Sequence, residues 1–213
     1  MKIGTKSVLF GAHFFLTHWF FVAWGWYLLY GQGGVRIGTI RKEDDEGVAV
    51  NYQVYISLRD PRLWIAFFIH DLGYWGKPNM DGPEGETHPE WACRVMNEWF
   101  GAPWGAFVLD HSRFYAKKGN RPVSPLCYAD KLGITLEPAW FYLPRVRLTG
   151  EIQEYMKMAA VNSQGQVTAE SEEAWYRNVQ AYVKKWVDEH KDGKEDSWTP
   201  TNREPGDTVG VWK

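Results

Sequence analysis

Ile69-His70-Asp71-Leu72-Gly73 sets an imidazole and a carboxylate side by side at the end of an apolar run (Leu63, Trp64, Ile65, Ala66, Phe67, Phe68). Burying a carboxylate is costly unless a cation or hydrogen-bond donors compensate it. The adjacent imidazole points to a metal ion as that cation. Such a site needs further nitrogen and oxygen donors. His18 lies in an apolar N-terminal run, His88 in Glu86-Thr87-His88-Pro89-Glu90, and His111 in Leu109-Asp110-His111-Ser112-Arg113. Asp130 lies in Tyr128-Ala129-Asp130-Lys131. Singly, each has an ordinary explanation, such as Asp130 pairing with Lys131. Together, a helix-borne His, a His-Asp pair, two later His and a helix-borne Asp can ring two metal ions, with Asp71 between them. His13 and His190 read as structural: His13 should point away from His18 on a continuous helix, and His190 should be a solvated helix end.

The elements that must carry these donors read as mostly helical. Phe14, His18, Val22 and Trp26 recur every four residues, so residues 7–30 form one helix that stops at Gly31-Gln32-Gly33-Gly34. Two β-like runs, 35–40 and 48–58, flank a charged turn ending in Gly47 and form a hairpin. Asp60-Pro61 caps a helix running to His70-Asp71. A Gly- and Pro-rich loop follows over 73–87. Helices are expected near 89–100, 103–117, 125–135 and 145–160, with a short piece starting at Glu137-Pro138. A long amphipathic helix spans 171–191, with Trp175, Val179, Val183 and Trp186 on one stripe. Residues 1–191 therefore read as one helical domain and 192–213 as a polar tail.

In this order the donors resemble the HD-domain superfamily of metal-dependent phosphohydrolases. The resemblance is carried by His18, by Phe68-Ile69-His70-Asp71-Leu72-Gly73, by His88-Pro89, by His111 and by Tyr128-Ala129-Asp130-Lys131. It covers about residues 12–135. It is nearest to the bimetallic branch that includes the HD-GYP phosphodiesterases and the diadenosine tetraphosphate hydrolases. It implies an all-α HD-domain helical bundle, here with a small β-hairpin insertion at 35–58. It implies that His18, His70, Asp71 and Asp130 form the core set and that His88 and His111 hold a second metal. It also places Lys77 where many family members put a Lys that faces substrate phosphate. No second His adjoins His111 and there is no Gly-Tyr-Pro sequence, so cyclic-di-GMP phosphodiesterase activity is not implied.

The expected chemistry is hydrolysis of a phosphate ester or anhydride, of a nucleotide in the first instance, by hydroxide generated on two divalent ions (Fe, Mn or Mg). Asp71 and Lys77 are the catalytic candidates, and Lys77, Arg113 and Lys131 the candidates for holding phosphate oxygens. Asp110 and Glu84 or Glu86 are candidate outer acceptors. Two alternatives stand beside this: an HD-fold di-iron oxygenase acting on a small polar substrate, and a non-catalytic metal-binding protein. A formal net charge of -2 gives no argument for nucleic-acid binding, so the expected partner is a small phosphorylated molecule. Residues 8–30 have the length of a membrane span. Their two His and their aromatic content favour a buried helix instead. With 2 Cys in helix-like contexts, a reduced, cytoplasmic protein is expected. The 13 Trp, with 11 Tyr and 11 Phe, predict a bulky aromatic core and an aromatic-lined pocket, where Tyr74, Trp75, Phe114, Tyr115 or Trp140 could stack a base. The hairpin and the helices after 138 would shape the pocket or a homo-oligomer interface.

Overall fold

Proline starts and glycine stops set out most of the helices. A computed structural model describes residues 1–43, 49–162 and 170–191. Pro61, Pro89 and Pro125 each occupy the first position of a helix: α3 (Pro61–Ile69), α4 (Pro89–Phe100) and α7 (Pro125–Leu136). There the missing N–H is one the helix could not use, and the fixed φ suits the first turn. Asp60 caps α3 by accepting from the Arg62 amide at 3.0 Å. Ser171 caps α10 (Glu172–His190) by accepting from Ala174. The remaining helices are α1 (Ile3–Phe10), α2 (His18–Tyr30), α5 (Ala102–Leu109), α6 (Arg113–Lys118), α8 (Ala139–Thr149) and α9 (Glu151–Asn162). One antiparallel hairpin, β1 (Val35–Glu43) and β2 (Ala49–Ile56), is inserted between α2 and α3, with a bulge between Arg36 and Gly38. The protein is thus mostly helical with a small β insertion, as expected.

Three long helices expected from the sequence are broken, each at a specific contact or backbone conformation. The expected 7–30 helix splits at 11–17. Gly11 lies where a Cβ would be 1.6 Å from Glu151 Oε1, and the freed Ala12 amide donates to that carboxylate at 3.0 Å. The expected 103–117 helix breaks at 110–112, where Asp110 is held from outside the helix. Arg121 donates to its carboxylate at 2.8 and 2.7 Å, and the Ser124 amide donates to its carbonyl at 2.9 Å. The expected 145–160 helix is divided at Gly150, whose φ of 84° is the left-handed conformation that ends α8. Among the described residues no helix is long and apolar enough to cross a membrane. The expected polar tail, 192–213, lies outside the described residues.

The core is aromatic. Trp26, Leu63, Phe67, Trp104, Phe107 and Leu126 are fully buried where α2, α3, α5 and α7 meet. A second cluster, with Tyr142, Val146, Ile152, Trp175 and Tyr176, joins α8, α9 and α10. Cys127, Tyr128, Val183 and Trp186 lock α10 onto α7. His190, expected to be solvated, is buried at the end of α10, its ring stacked on Trp186 and its Nδ1 bonded to the Trp186 carbonyl at 2.7 Å. Helices α2 and α7 approach closely because glycines face across the contact. A Cβ on Gly25 would lie 2.5 Å from the Ala129 carbonyl oxygen, and one on Gly133 would lie 3.1 Å from the Phe21 backbone. That close approach brings His18 to Asp130.

Candidate metal centre

All six predicted donors converge on one buried spot, and Asp71 lies in its middle. His70 caps the C-terminus of α3, and Asp71 follows as the chain turns into a short 3-10 helix, Leu72–Tyr74. Asp71 Oδ2 lies 3.0 Å from His18 Nε2 and 2.9 Å from His70 Nε2. Its other oxygen, Oδ1, lies 3.3 Å from His88 Nε2 and 3.3 Å from His111 Nε2. Asp130, on α7, closes the first group, with Oδ1 3.2 Å from His18 Nε2 and 3.7 Å from His70 Nε2. The donor atoms of His18, His70, Asp71 and Asp130 all lie within 4.8 Å of one another, and so do those of Asp71, His88 and His111.

Backbone carbonyls fix the rings. His70 Nδ1 bonds the Phe67 carbonyl at 2.9 Å, and His88 Nδ1 bonds that of Gly85 at 2.8 Å. His111 Nδ1 bonds the Val108 carbonyl at 2.5 Å. An Nδ1–H donating to a carbonyl leaves the Nε2 lone pair of a neutral imidazole pointing inward, as metal-ligating His are held. His88 and His111 bring their Nε2 atoms 3.1 Å apart with Asp71 Oδ1 beside both. In the neutral tautomers, three acceptors face one another there. In the other group His18 Nε2, His70 Nε2, Asp71 Oδ2 and Asp130 Oδ1 are buried without a hydrogen-bond partner among the described residues. Lone pairs converging in a buried site need protons or a cation between them. The donor set therefore fits metal ions, and a buried His/Asp cluster able to hold metal is a property of this fold.

The electrostatics say where protons reside without metal. Burial opposes protonation of His18 and His70, but the Asp71 and Asp130 carboxylates outweigh it and push their pKa values up to about 9 and about 10. Burial would raise Asp71 and Asp130. The imidazoles around Asp71, and Lys131 with His18 and His70 around Asp130, instead hold both well below the usual carboxylate range. Burial drives His88 well below its ordinary value, so it stays neutral and ligand-ready.

Glycine again permits the approach. A Cβ on Gly73 would lie 1.9 Å from the His88 carbonyl oxygen, so only glycine lets the His70-Asp71 turn pack against the segment carrying His88. Tyr74 stacks on His88 with centroids 4.0 Å apart. His111, expected well inside a helix, sits instead in the α5–α6 break, which turns its ring inward; Asp110 anchors that break through Arg121. Among the proposed phosphate contacts, Lys131 donates to Asp130 Oδ2 at 2.9 Å and so touches the cluster. Lys77 donates to the Thr87 hydroxyl, one residue before His88. Arg113 is placed differently: its guanidinium lies over the Trp186 ring of α10, 5.4 Å from the centroid, because the helix break directs it towards α10. Glu84 accepts from the Asn79 amide at 2.6 Å within the loop. Aromatic grooves of about 430 and 420 Å³ lie along α2, lined by Phe20, Trp24, Tyr27 and Trp64 and by Leu16, Phe20 and Trp140. None of the six donors lines either groove.

His13, expected to point away, faces the cluster. Its Nε2 lies 3.7 Å from Asp71 Oδ2 and its ring centroid 5.3 Å from that of His18. Burial pushes its pKa down to about 4. The assumption of an unbroken helix hid it; the glycine at position 11 was the available signal. Glu151 and Ser7, which hold it, carried no sequence signal, since Glu151 lies 139 residues from Ala12. Comparison with family models, with curated proteins and with solved structures found no match. The helical fold and its buried His/Asp cluster are compatible with an HD-type site.

Proposed function

We propose that this chain is a metal-dependent phosphohydrolase of the HD type that binds two divalent ions and cleaves a phosphate ester or anhydride of a nucleotide or similar small molecule. One observation carries the reading: the two oxygens of Asp71 face two separate donor groups. That is the placement a bridging carboxylate needs. His18, His70 and Asp130 would hold one ion and His88 and His111 the other. When bound, such ions lower the pKa of water and polarise phosphoryl oxygens. The residues of the chain do the rest. The carbonyl-anchored rings keep their lone pairs aimed inward, which lowers the reorganisation needed on binding. Lys131, 31% exposed at its side chain, neutralises Asp130 and offers an ammonium to an incoming phosphate. Lys77, tied to Thr87, is a second such cation at the His88 side.

The donor set holds four imidazoles and two carboxylates, which favours iron, manganese or zinc over magnesium. The same nitrogen-rich set suits ferrous iron, which supports a second reading, an oxygenase. The test is phosphate release and substrate turnover over a panel of nucleotides and phosphate esters, with each metal supplied both without and with O₂. Phosphate released by wild type and lost in Asp71→Ala supports hydrolysis. Turnover that requires both O₂ and ferrous iron, without phosphate release, replaces it with the oxygenase.

A further inference from the structure

We infer that His13 belongs to the working site: its Nε2 accepts a hydrogen bond from a water molecule held beside Asp71 Oδ2, and Ser7 and Glu151 are positioning residues that aim it there. The inference rests on the metal-centre reading above.

Glu151, at the start of α9, is 0% exposed. Both of its oxygens are occupied by donors. Oε2 accepts from the Ser7 hydroxyl at 2.6 Å and the Tyr155 hydroxyl at 2.7 Å. Oε1 accepts from the Ala12 amide at 3.0 Å and the Thr149 hydroxyl at 2.6 Å. Ser7 has one hydroxyl proton, and it goes to this carboxylate, the stronger acceptor. Ser7 Oγ also lies 2.9 Å from His13 Nδ1. With the hydroxyl proton committed, Ser7 Oγ is the acceptor there and His13 Nδ1–H the donor. The tautomer follows: in the neutral ring, the free lone pair is on Nε2.

That lone pair faces Asp71 Oδ2 at 3.7 Å. The separation is too long for a direct hydrogen bond, and both atoms are acceptors. It is the kind of polar gap a bridging water satisfies. His13 also stands outside the mutually close donor set of His18, His70, Asp71 and Asp130, so its nitrogen is left for a ligand rather than for the ion. The ring is held from two sides, by Tyr74 at 4.7 Å and by His18 at 5.3 Å between centroids. Its side chain is 12% exposed, which leaves a path to solvent. A histidine that merely packed would need no buried carboxylate and hydroxyl to set its tautomer.

The test uses full-length protein loaded with Mn²⁺: wild type, His13→Ala, His13→Gln and Ser7→Ala. Manganese per chain is measured first, then exchangeable-proton couplings around the ion by electron–nuclear double resonance in H₂O and D₂O. Expected are unchanged manganese content in every variant and loss of an ordered water-proton coupling in His13→Ala. The same loss is expected in Ser7→Ala, which keeps the ring but removes its anchor. Partial recovery is expected in His13→Gln, whose amide oxygen can accept. Manganese lost in His13→Ala would make it a ligand and overturn the inference. Identical couplings in all four loaded proteins would reduce His13 to packing and overturn it as well. Wild type that takes up no metal would overturn the metal centre first, and His13's role with it; the two failures are distinct.

Discussion

The metal-free protein should lose stability steeply as pH rises from neutrality, and metal should abolish that loss. His18 and His70 titrate near pH 6.5 when unfolded, but in the folded protein their pKa values are about 9 and about 10. Above 6.5 the native state therefore binds more protons than the unfolded state. The stability these protons contribute is fully present below pH 6.5 and is lost as pH climbs through 9 and 10. Each group contributes about 1.4 kcal/mol per pH unit while its native form stays protonated and its unfolded form does not. With both groups in this regime, a few kcal/mol should disappear between pH 6.5 and about 8.5. That is a large share of a typical domain's roughly 5–15 kcal/mol. His13 and His88 act in the opposite sense: their folded pKa values are depressed, so stability also falls as pH drops below 6.5. The metal-free protein should thus be most stable near pH 6.5. Urea unfolding midpoints, measured with chelator and with saturating Mn²⁺ across pH 5.5 to 9, test this directly. In the loaded protein the ions replace the protons and the alkaline loss should vanish. A metal-free profile that is flat between pH 6.5 and 8.5 would refute the proton-held cluster.

Asp71→Ala should abolish binding of both ions, whereas His88→Ala or His111→Ala should lose one and retain the other, as read by metal analysis after dialysis. Retention of full metal in Asp71→Ala would remove the bridge. Gly73→Ala should destabilise the protein by about 2 kcal/mol or more and weaken the His88–His111 group, since its Cβ would meet the His88 carbonyl oxygen at 1.9 Å. Thermal melts and metal titration report the two effects separately. Gly25→Ala should push α2 off α7 and so weaken the His18–Asp130 side in the same assays, because a Cβ there would lie 2.5 Å from the Ala129 carbonyl oxygen. Arg121→Ala leaves the buried Asp110 carboxylate without its two-bond partner and should cost about 1–3 kcal/mol of stability by chemical denaturation.

The helix starts were legible because proline and its cap are local signals: Pro61, Pro89 and Pro125 each begin a helix in the structure. The hairpin was legible from a charged stretch ending in Gly47 between two β-like runs, the second of them alternating. The three helix breaks were not. Each depends on a partner distant in sequence or on a backbone conformation that periodicity ignores: Glu151 for the amide of Ala12, Arg121 and Ser124 for Asp110, and the left-handed Gly150. The same blindness misplaced His13. A helix projection gives a side chain's direction only while the helix continues.

The amino-acid sequence alone determined which donors exist. His and Asp residues in apolar or turn contexts are too costly to bury idly, so their chemistry could be named before any coordinates. Their order along the chain also followed from it. What only the tertiary structure decided is how they meet. Asp71 turns one oxygen to His18 and His70 and the other to His88 and His111 because α2 packs on α7 through glycines and Gly73 admits the His88 backbone. Those are contacts between segments well separated along the chain. They are set by the exclusion of atoms across close-packed surfaces, which spacing along a chain does not encode.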